Sequence, residues 1–183
     1  MNKIRLVFKG ITEIVGGEKL GLIILTDVAM TRQIAIVCDS QMEYQFGIRL
    51  GHTPIRDVLL PEVLCKILKA SGTINDYEVL ISDIVDGEYK TVLLNNITSE
   101  MIPIRSSDAI LLSYISRMPL YIEERLMNRQ SVAYQENSRG MAIPINSISD
   151  VMLDEALEKA IENEEYEMAS YLRDEKNRRK SIR

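Results

Sequence analysis

The sequence has 183 residues, a formal net charge of −5 and 46% hydrophobic residues, which bounds it to one sizeable domain with an appendage. The acidic balance argues against tight, non-specific binding of nucleic acid over the whole surface. His52 is the only histidine, so the chain offers no histidine-rich zinc site, and a serine or cysteine triad would depend on one unsupported base.

The cysteines and the lengths of the apolar segments indicate the cellular compartment of the protein. No apolar run approaches the ~20 residues needed to cross a bilayer, and Met1 leads into a strand pattern rather than a signal peptide. Cys38 and Cys65 lie in apolar contexts that are typical of buried thiols. Because free thiols persist in reducing compartments, we expect a cytoplasmic protein that makes no membrane contact.

The first forty residues predict three strands. Alternating apolar and polar side chains predict a half-buried strand over residues 3–14, and Gly16-Gly17 predicts a hairpin turn after it. Two further strands are expected at residues 20–27 and 32–38. Neighbouring strands joined by tight turns pair antiparallel.

Two helices are expected next. The first covers residues 40–50, with Ser40 as its cap, and the second runs from about Pro61 to Ala70, since proline suits a first helical position. The second helix has an apolar stripe that we expect to be buried. Its members are Val63, Leu64, Ile67 and Leu68.

Three more strands are then predicted, at residues 76–85, 89–96 and 101–105, followed by a helix. Either serine of the Ser106-Ser107 corner can cap this helix, and Asp108 suits the positive end of its dipole. Pro119 ends the helix, and residues 120–122 predict a short strand. The apolar face of the helix is formed by Ala109, Ile110, Leu112 and Ile115.

The two series of elements predict an internal duplication. IVGGE at 14–18 aligns with IVDGE at 84–88, and IAIVCDSQM at 34–42 aligns with IPIRSSDAI at 102–110. The alternative is coincidence among apolar strands, but the matches fall at nearly one offset. We therefore expect an α+β fold of duplicated β-β-β-α units, with a mainly antiparallel or mixed sheet and packed helices.

A change of composition separates the last part of the chain. Residues 131–149 are polar and aperiodic and predict a linker, whereas residues 150–183 predict an αα-hairpin with Asn163 capping its second helix. The hairpin is too short to be stable alone, so its apolar face must pack on its own domain, a copy of itself or another protein. The basic tail suits a solvated helix end or a phosphate contact. Its cations are Lys176, Arg178, Arg179, Lys180 and Arg183.

The segment RSSDAILLS at 105–113 closely resembles the RPSDAIALA corner of the bifunctional nuclease domain family, and MPLYIEERLM resembles that family's ending. The resemblance covers roughly residues 5–130, which gives a first domain at 1–130. It implies cleavage of DNA or RNA and a compact homo-oligomer. Met42 stands where the family has a glutamate, and Leu60-Pro61-Glu62 stands for threonine, histidine and aspartate.

The segment AIENEEYEMASYLRDEKNR resembles the UVR motif, a helical hairpin found in nucleotide-excision-repair subunits and in protease-chaperone adaptors. This resemblance implies that the hairpin docks onto another protein and links the chain to DNA repair. The residues that carry it, and that it implies for partner binding, are Tyr166, Ala169, Leu172 and Arg173, with Asp174 beside them.

A metal-dependent nuclease needs carboxylates that hold Mg²⁺ or Mn²⁺. Asp108 is our first candidate as catalytic residue and metal ligand, with Glu62 as a second catalytic acid and Asp39 as a second ligand. If the duplication is real, Asp39 and Asp108 face one cleft as pseudo-symmetric partners. Arg105 and Ser107 are the candidates for substrate binding. The other acids considered are Glu43 and Asp57.

Each of these residues also has a plainer interpretation. Asp108 and Glu62 suit the first turn of a helix as dipole partners, and Arg105 pairs with Asp108 or holds a phosphate. His52 is an exposed loop residue or a general acid or base. Because Met42 neither binds hard cations nor moves protons, the alternative to a nuclease is a catalytically weak or inactive scaffold. A small-ligand sensor has no motif in its favour.

Overall fold

The computed structural model describes residues 2–13, 20–134 and 150–182. The strands are β1 Lys3–Glu13, β2 Leu20–Asp27, β3 Arg32–Asp39, β4 Tyr77–Val85, β5 Glu88–Asn95, β6 Met101–Arg105, β7 Leu120–Glu123 and β8 Val132–Ala133. The helices are α1 Ser40–Leu50, α2 Leu60–Ala70, α3 Ser106–Ser116, α4 Glu124–Gln130, α5 Asp150–Glu162 and α6 Tyr166–Ile182. Short 3₁₀ turns cover Pro54–Val58 and Ile74–Asp76.

The strands form one sheet in the order β6-β5-β4-β7-β1-β2-β3-β8. The β4–β7 pair is parallel and the other neighbouring pairs are antiparallel. The meanders β1-β2-β3 and β4-β5-β6 extend outward on either side of β7, and each leads into a helix. The α+β fold with a mainly antiparallel sheet is confirmed, and the predicted repeat has its counterpart in this strand order.

The element boundaries follow the predictions closely, with two additions. Helix α4 was not predicted, and β8 lies inside the predicted linker, where it pairs with Arg32 and Gln33 of β3. The predicted Gly16-Gly17 turn and residues 135–149 of the predicted linker lie outside the described residues.

The sheet curves so strongly that its two ends approach each other. Five strands lie between β3 and β6 in the sheet, yet Asp39 at the end of β3 is hydrogen-bonded to Arg105 at the end of β6. Strand twist accumulates across a sheet in this way. Helix α3 packs against β3, β4, β5 and β6 and against α1 and α2. The curvature therefore places the beginnings of α1 and α3 at one corner.

The main core fills the space between the sheet and helices α1, α3 and α4. Phe46 is buried in this core, and the partly buried Phe8 and Tyr114 pack against it. The ring centroids of Phe8 and Phe46 are 4.9 Å apart, and those of Phe8 and Tyr114 are 5.2 Å apart. These geometries are favourable for aromatic pairs. Cys38 and Cys65 are buried free thiols, as the sequence predicted.

The predicted orientation of α2 is wrong. Of the predicted stripe, Val63, Leu64 and Ile67 are exposed and Leu68 is only partly buried. The buried side chains of this helix are Glu62 and Cys65. Glu62 points inward because it forms an ion pair with the buried Arg49. Its apolar stripe consequently faces away from the core.

The predicted helix caps also need correction. Asp39, not Ser40, caps α1, because its Oδ1 accepts a hydrogen bond from the backbone N–H of Met42 at 2.7 Å. No serine caps α3, since the Ser106 hydroxyl donates to the carbonyl of Tyr89 instead. Helix α6 begins at Tyr166, so its cap is not Asn163.

Helices α5 and α6 pack together as the predicted hairpin. Their buried contacts come from Leu153 and Ala160 on α5 and from Ala169 and Leu172 on α6. Among the helices described, none combines the length and apolar character required to cross a membrane.

Candidate functional site

Arg105 joins two carboxylates at the corner where the ends of the sheet meet. Its Nη1 donates to Asp39 Oδ2 at 2.8 Å, and its Nε donates to Asp108 Oδ2 at 2.8 Å. A longer bond of 3.4 Å runs from Nη2 to Asp108 Oδ1. All three side chains are about half exposed. We call Asp39, Arg105 and Asp108 the corner triad.

Strand ends and helix starts place the triad. Asp39 is the last residue of β3 and the cap of α1, whereas Arg105 is the last residue of β6 and precedes α3. Asp108 lies in the first turn of α3. Helix N-termini favour anions because their first N–H groups have no helical partner. The starts of α1 and α3 therefore lie at one corner, and Arg105 lies between their two aspartates.

The triad carries fixed charges. The backbone N–H of Met42 and the guanidinium of Arg105 hold the pKa of Asp39 below its ordinary value of 3.8, although partial burial opposes them. Hydrogen bonds to Asp108 and then to Asp39 raise the pKa of Arg105. Asp39 and Arg105 are therefore both ionised at neutral pH, which suits electrostatic binding better than proton transfer.

A cleft of about 750 Å³ adjoins the triad. Strands β3, β5 and β6 and the start of α3 form its walls, and Asp39, Arg105 and Ser107 line it. Glu88 and Lys90 also line the cleft and form an ion pair, with 3.2 Å between Lys90 Nζ and Glu88 Oε2. The remaining wall is largely apolar, with Ile36, Val37, Val92, Pro103 and Ile104 among its residues.

The corner triad does not fit a resident Mg²⁺ or Mn²⁺ ion as it is arranged. Hard cations need several oxygen ligands, and the guanidinium of Arg105 already lies between the carboxylates of Asp39 and Asp108. Within residues 2–13, 20–134 and 150–182, no group of three or more His, Cys, Asp or Glu side chains is arranged to hold a metal.

The other predicted catalytic acid lies in a different environment. Glu62 is buried, and its Oε1 and Oε2 accept bonds of 2.8 and 2.7 Å from Nε and Nη2 of Arg49. Arg49 also donates to the backbone carbonyl and side-chain oxygen of Gln45. This network joins α1 to α2 and lies outside the residues that line the cleft. Sequence analysis missed Arg49, whose only signal is its place beside apolar residues at the end of a helix.

Two further candidates lie on the loop between α1 and α2. His52 is exposed, has a positive φ of 52°, and its Nδ1 is 3.1 Å from Nη1 of Arg56. Asp57 forms an ion pair with the same arginine at 3.6 Å. Neither residue lines the cleft. The structure therefore brings together Asp39, Arg105, Ser107 and Asp108 but not Glu62, Asp57 or His52.

The profile of the bifunctional nuclease domain family matches residues 23–135, more than half of the chain. The chain belongs to the bifunctional nuclease domain family. No curated protein sequence matches it significantly. The matched segment contains the whole corner triad, the cleft walls and Glu62, so the nuclease-like family membership applies to the part of the molecule that holds the candidate site.

Within this bifunctional nuclease domain, Met42 is buried in the main core. By its resemblance to the family, this position corresponds to a glutamate of the family motif. The methionine side chain supplies neither a charge nor an oxygen ligand to the site. Pro61 similarly offers no ionisable group at the start of α2. Asp39 and Arg105 of the corner triad line the cleft, and Asp108 lies beside them on Arg105.

The helical hairpin lies beyond the matched segment. Ala169 and Leu172 are buried against Leu153 and Ala160, so they hold the hairpin together rather than face a partner. Tyr166 and Arg173 are exposed. Of the predicted partner-binding residues, only these two are available for direct contact in this conformation.

Proposed function

We propose that the protein binds the phosphodiester backbone of DNA or RNA at the cleft and cleaves it there, with a helical hairpin that docks a protein. The observation that carries this proposal is the guanidinium of Arg105, oriented at the cleft by two carboxylates. Arginine is well suited to phosphate, because its planar fork of donors matches the phosphate oxygens.

The donors of Arg105 support a phosphate contact. A guanidinium has five N–H donors, and the bonds to Asp39 and Asp108 use three of them. Two N–H groups, one on each terminal nitrogen, are left for a phosphate oxygen. The two carboxylates hold the guanidinium of Arg105 in one orientation, so the side chain loses less conformational entropy when it binds a phosphate. The apolar wall offers a surface for the sugar and base of an unpaired nucleotide.

The surrounding charge limits the affinity that we expect. The two aspartates outweigh one arginine, and Lys90 is offset by Glu88. Binding through one principal phosphate contact has a shallow dependence on salt concentration. This agrees with the overall negative charge of the chain and favours single-stranded segments that fit the cleft over extended contact with a duplex.

Mg²⁺ and Mn²⁺ are included in the cleavage assay, but the proposal gives neither ion a role in the reaction. The carboxylates of Asp39 and Asp108 are already neutralised in part by Arg105, and we assign no step to a divalent ion. Asp108 remains the proposed catalytic residue, and Arg105 and Ser107 the proposed substrate-binding residues, whereas the metal-binding role predicted for Asp39 and Asp108 does not fit this arrangement. Glu62 is better interpreted as the anchor between α1 and α2.

The docking part of the proposal concerns residues 150–183. The likeness of this hairpin to the UVR motif supports it, together with the exposure of Tyr166 at the start of α6. A domain at 1–130, a linker at 131–149, a cytoplasmic location and a homo-oligomeric state complete the proposal.

A second candidate function is a scaffold without catalytic activity. The position of Arg105 between the carboxylates of Asp39 and Asp108 favours an inactive scaffold. Arg105 can bind a phosphate, but its ion pairs with the two aspartates leave those carboxylates less available for catalysis. The buried Met42 at the family's glutamate position favours it as well. In this case the domain binds nucleic acid or protein and the hairpin recruits a partner.

The deciding experiment is a cleavage assay on the purified full-length chain with labelled single-stranded DNA and RNA, in Mg²⁺ and in Mn²⁺. The proposal predicts cleavage that is lost in Asp108→Asn and Asp39→Asn and retained in Asp57→Asn, an acid that pairs with Arg56 away from the corner triad. Binding without cleavage under all conditions selects the scaffold. Equal cleavage by all four proteins places the reaction elsewhere and contradicts the proposed site.

A further inference from the structure

One face of helix α2 presents apolar side chains to solvent. Leu60, Val63, Leu64 and Ile67 follow helical spacing and are between 36% and 79% exposed. Val58, in the turn just before the helix, is 75% exposed and extends this surface. A contiguous apolar surface of this kind marks an interaction site. We call these five residues the α2 face.

The charges around the α2 face are mainly positive. Lys66 and Lys69 are exposed on the helix itself, and the ammonium of Lys66 also donates to the carbonyl of Asp57. The acid of the helix, Glu62, is buried against Arg49. On the preceding turn, Arg56 and Asp57 offset each other as an ion pair. The rim thus carries a net positive charge of about two.

The turn of the hairpin has the complementary character. We call residues 161–168 the hairpin tip. Ile161, Tyr166 and Met168 are exposed there, with Tyr166 at 69%. The nearest cation, Lys159, precedes the tip on α5. Four exposed acids lie among the apolar side chains: Glu162, Glu164, Glu165 and Glu167.

We infer that the hairpin tip of one copy of this chain docks on the α2 face of a second copy. The apolar side chains of the two surfaces cover each other, and the carboxylates of the tip oppose Lys66 and Lys69. Reciprocal exchange of the two arms gives a closed dimer with two equivalent contacts. This inference names the partner in the proposed docking role of the hairpin and does not depend on nuclease activity.

The alternative contact within a pair of copies is α2 against α2. That arrangement would bring Lys66 and Lys69 of both copies to one interface, because the acid of each helix is already buried with Arg49. Like charges at close range oppose association, whereas the acidic hairpin tip removes the repulsion. Charge complementarity therefore favours the hairpin tip as the occupant of the α2 face.

The test measures the mass of the full-length chain by sedimentation over a range of concentrations. One variant reverses the α2 rim, Lys66→Glu with Lys69→Glu, and another reverses the charge of the tip, Glu162→Lys and Glu164→Lys with Glu165→Lys and Glu167→Lys. Each variant alone is expected to dissociate with a Kd raised about tenfold or more. An equimolar mixture of the two is expected to form a heterodimer, and the chain carrying all six substitutions is expected to recover the native dimer.

Controls and contrary outcomes are separable. Lys180→Glu and Ile97→Ser, exposed residues outside both surfaces, are expected to leave the native mass unchanged. A native chain that is monomeric at every concentration overturns the inference, as does a tip variant that keeps the native Kd or a mixture that fails to associate. A monomeric chain that still cleaves nucleic acid overturns the inference and leaves the proposed nuclease activity standing.

Discussion

Arg105 and Asp39 are 66 residues apart in the chain, yet Nη1 of the arginine lies 2.8 Å from Oδ2 of the aspartate. The contact joins the last residue of β6 to the last residue of β3 across the opening of the curved sheet. It connects equivalent ends of the two halves of the domain. The organisation of the candidate site depends on this contact, because the cleft lies between the strands that it joins.

Removing the guanidinium exposes two uncompensated carboxylates. In Arg105→Ala we expect the affinity for Mn²⁺ to rise about tenfold, since the cation that neutralises Asp39 and Asp108 is lost. Calorimetric titration of the native chain and the variant with Mn²⁺ measures the change. Arg105→Lys, which keeps the positive charge, should resemble the native chain. Equal affinity in all three proteins would show that the two carboxylates do not act together.

The ionised form of Asp39 contributes to stability. Its folded-state pKa lies below the ordinary 3.8, through the N–H of Met42 and then the Arg105 guanidinium. The contribution is therefore present at neutral pH and is lost as pH falls through the folded-state pKa. Asp39→Asn keeps the helix cap, so it should lower the unfolding free energy by at most ~1 kcal/mol at pH 7, because the pair is half exposed.

Urea unfolding of the native chain and Asp39→Asn between pH 7 and pH 3 checks this dependence. The difference between the two proteins should be constant near neutrality and should shrink once the pH drops below 3.8. A difference that stays constant down to the lowest pH would mean that the charge of Asp39 has no part in stability.

The pair of Arg49 and Glu62 is structural. Arg49 is 2% exposed, and its bonds to Glu62 and Gln45 satisfy the guanidinium. Glu62→Gln leaves a buried cation without its counter-charge and should cost about 3–5 kcal/mol of unfolding free energy. Replacing both residues by leucine should cost much less than this. Denaturant unfolding measures both, and a loss below ~1 kcal/mol in the single variant would contradict the assignment.

The hairpin has its own small core. Leu172→Ala removes a buried contact with Leu153 and Ala160, and such truncations cost about 2–5 kcal/mol in well-packed cores. Amide hydrogen exchange of α5 and α6 should therefore accelerate, while exchange in β1 and β4 stays at the native rate. Lys180→Ala serves as the exposed control. Acceleration throughout the chain would contradict the separation of the hairpin from the first domain.

Much of the fold was accessible from sequence because its signals are local. Alternation and turn residues located the strands, and the repeated pattern predicted that Asp39 and Asp108 meet at one corner. The pairing of Arg105 with Asp39 was not predicted, because the two residues meet only through the curvature of the whole sheet. The spacing of residues in the sequence predicts which side chains are neighbours within one strand or helix. The curvature of the sheet depends on how all the strands twist and pack together.

The orientation of α2 shows a different limit. Val63, Leu64 and Ile67 form a clear apolar stripe, but such a stripe shows only which side chains avoid water, not which surface covers them. Glu62 faces inward because Arg49, from another helix, neutralises it. A buried ion pair of this kind leaves no periodic signal in either helix. The prediction failed where a polar contact between distant residues outweighed hydrophobic patterning.

The most direct test of the account is the salt dependence of single-stranded RNA and DNA binding by the native chain and Arg105→Gln. Arg105→Gln should bind about tenfold more weakly, and its dependence on salt concentration should fall by about one phosphate contact. Lys159→Gln, an exposed cation outside the cleft and the basic tail, should match the native chain. Unchanged affinity and unchanged salt dependence in Arg105→Gln would contradict the assignment of the corner triad and its cleft as the nucleic-acid site.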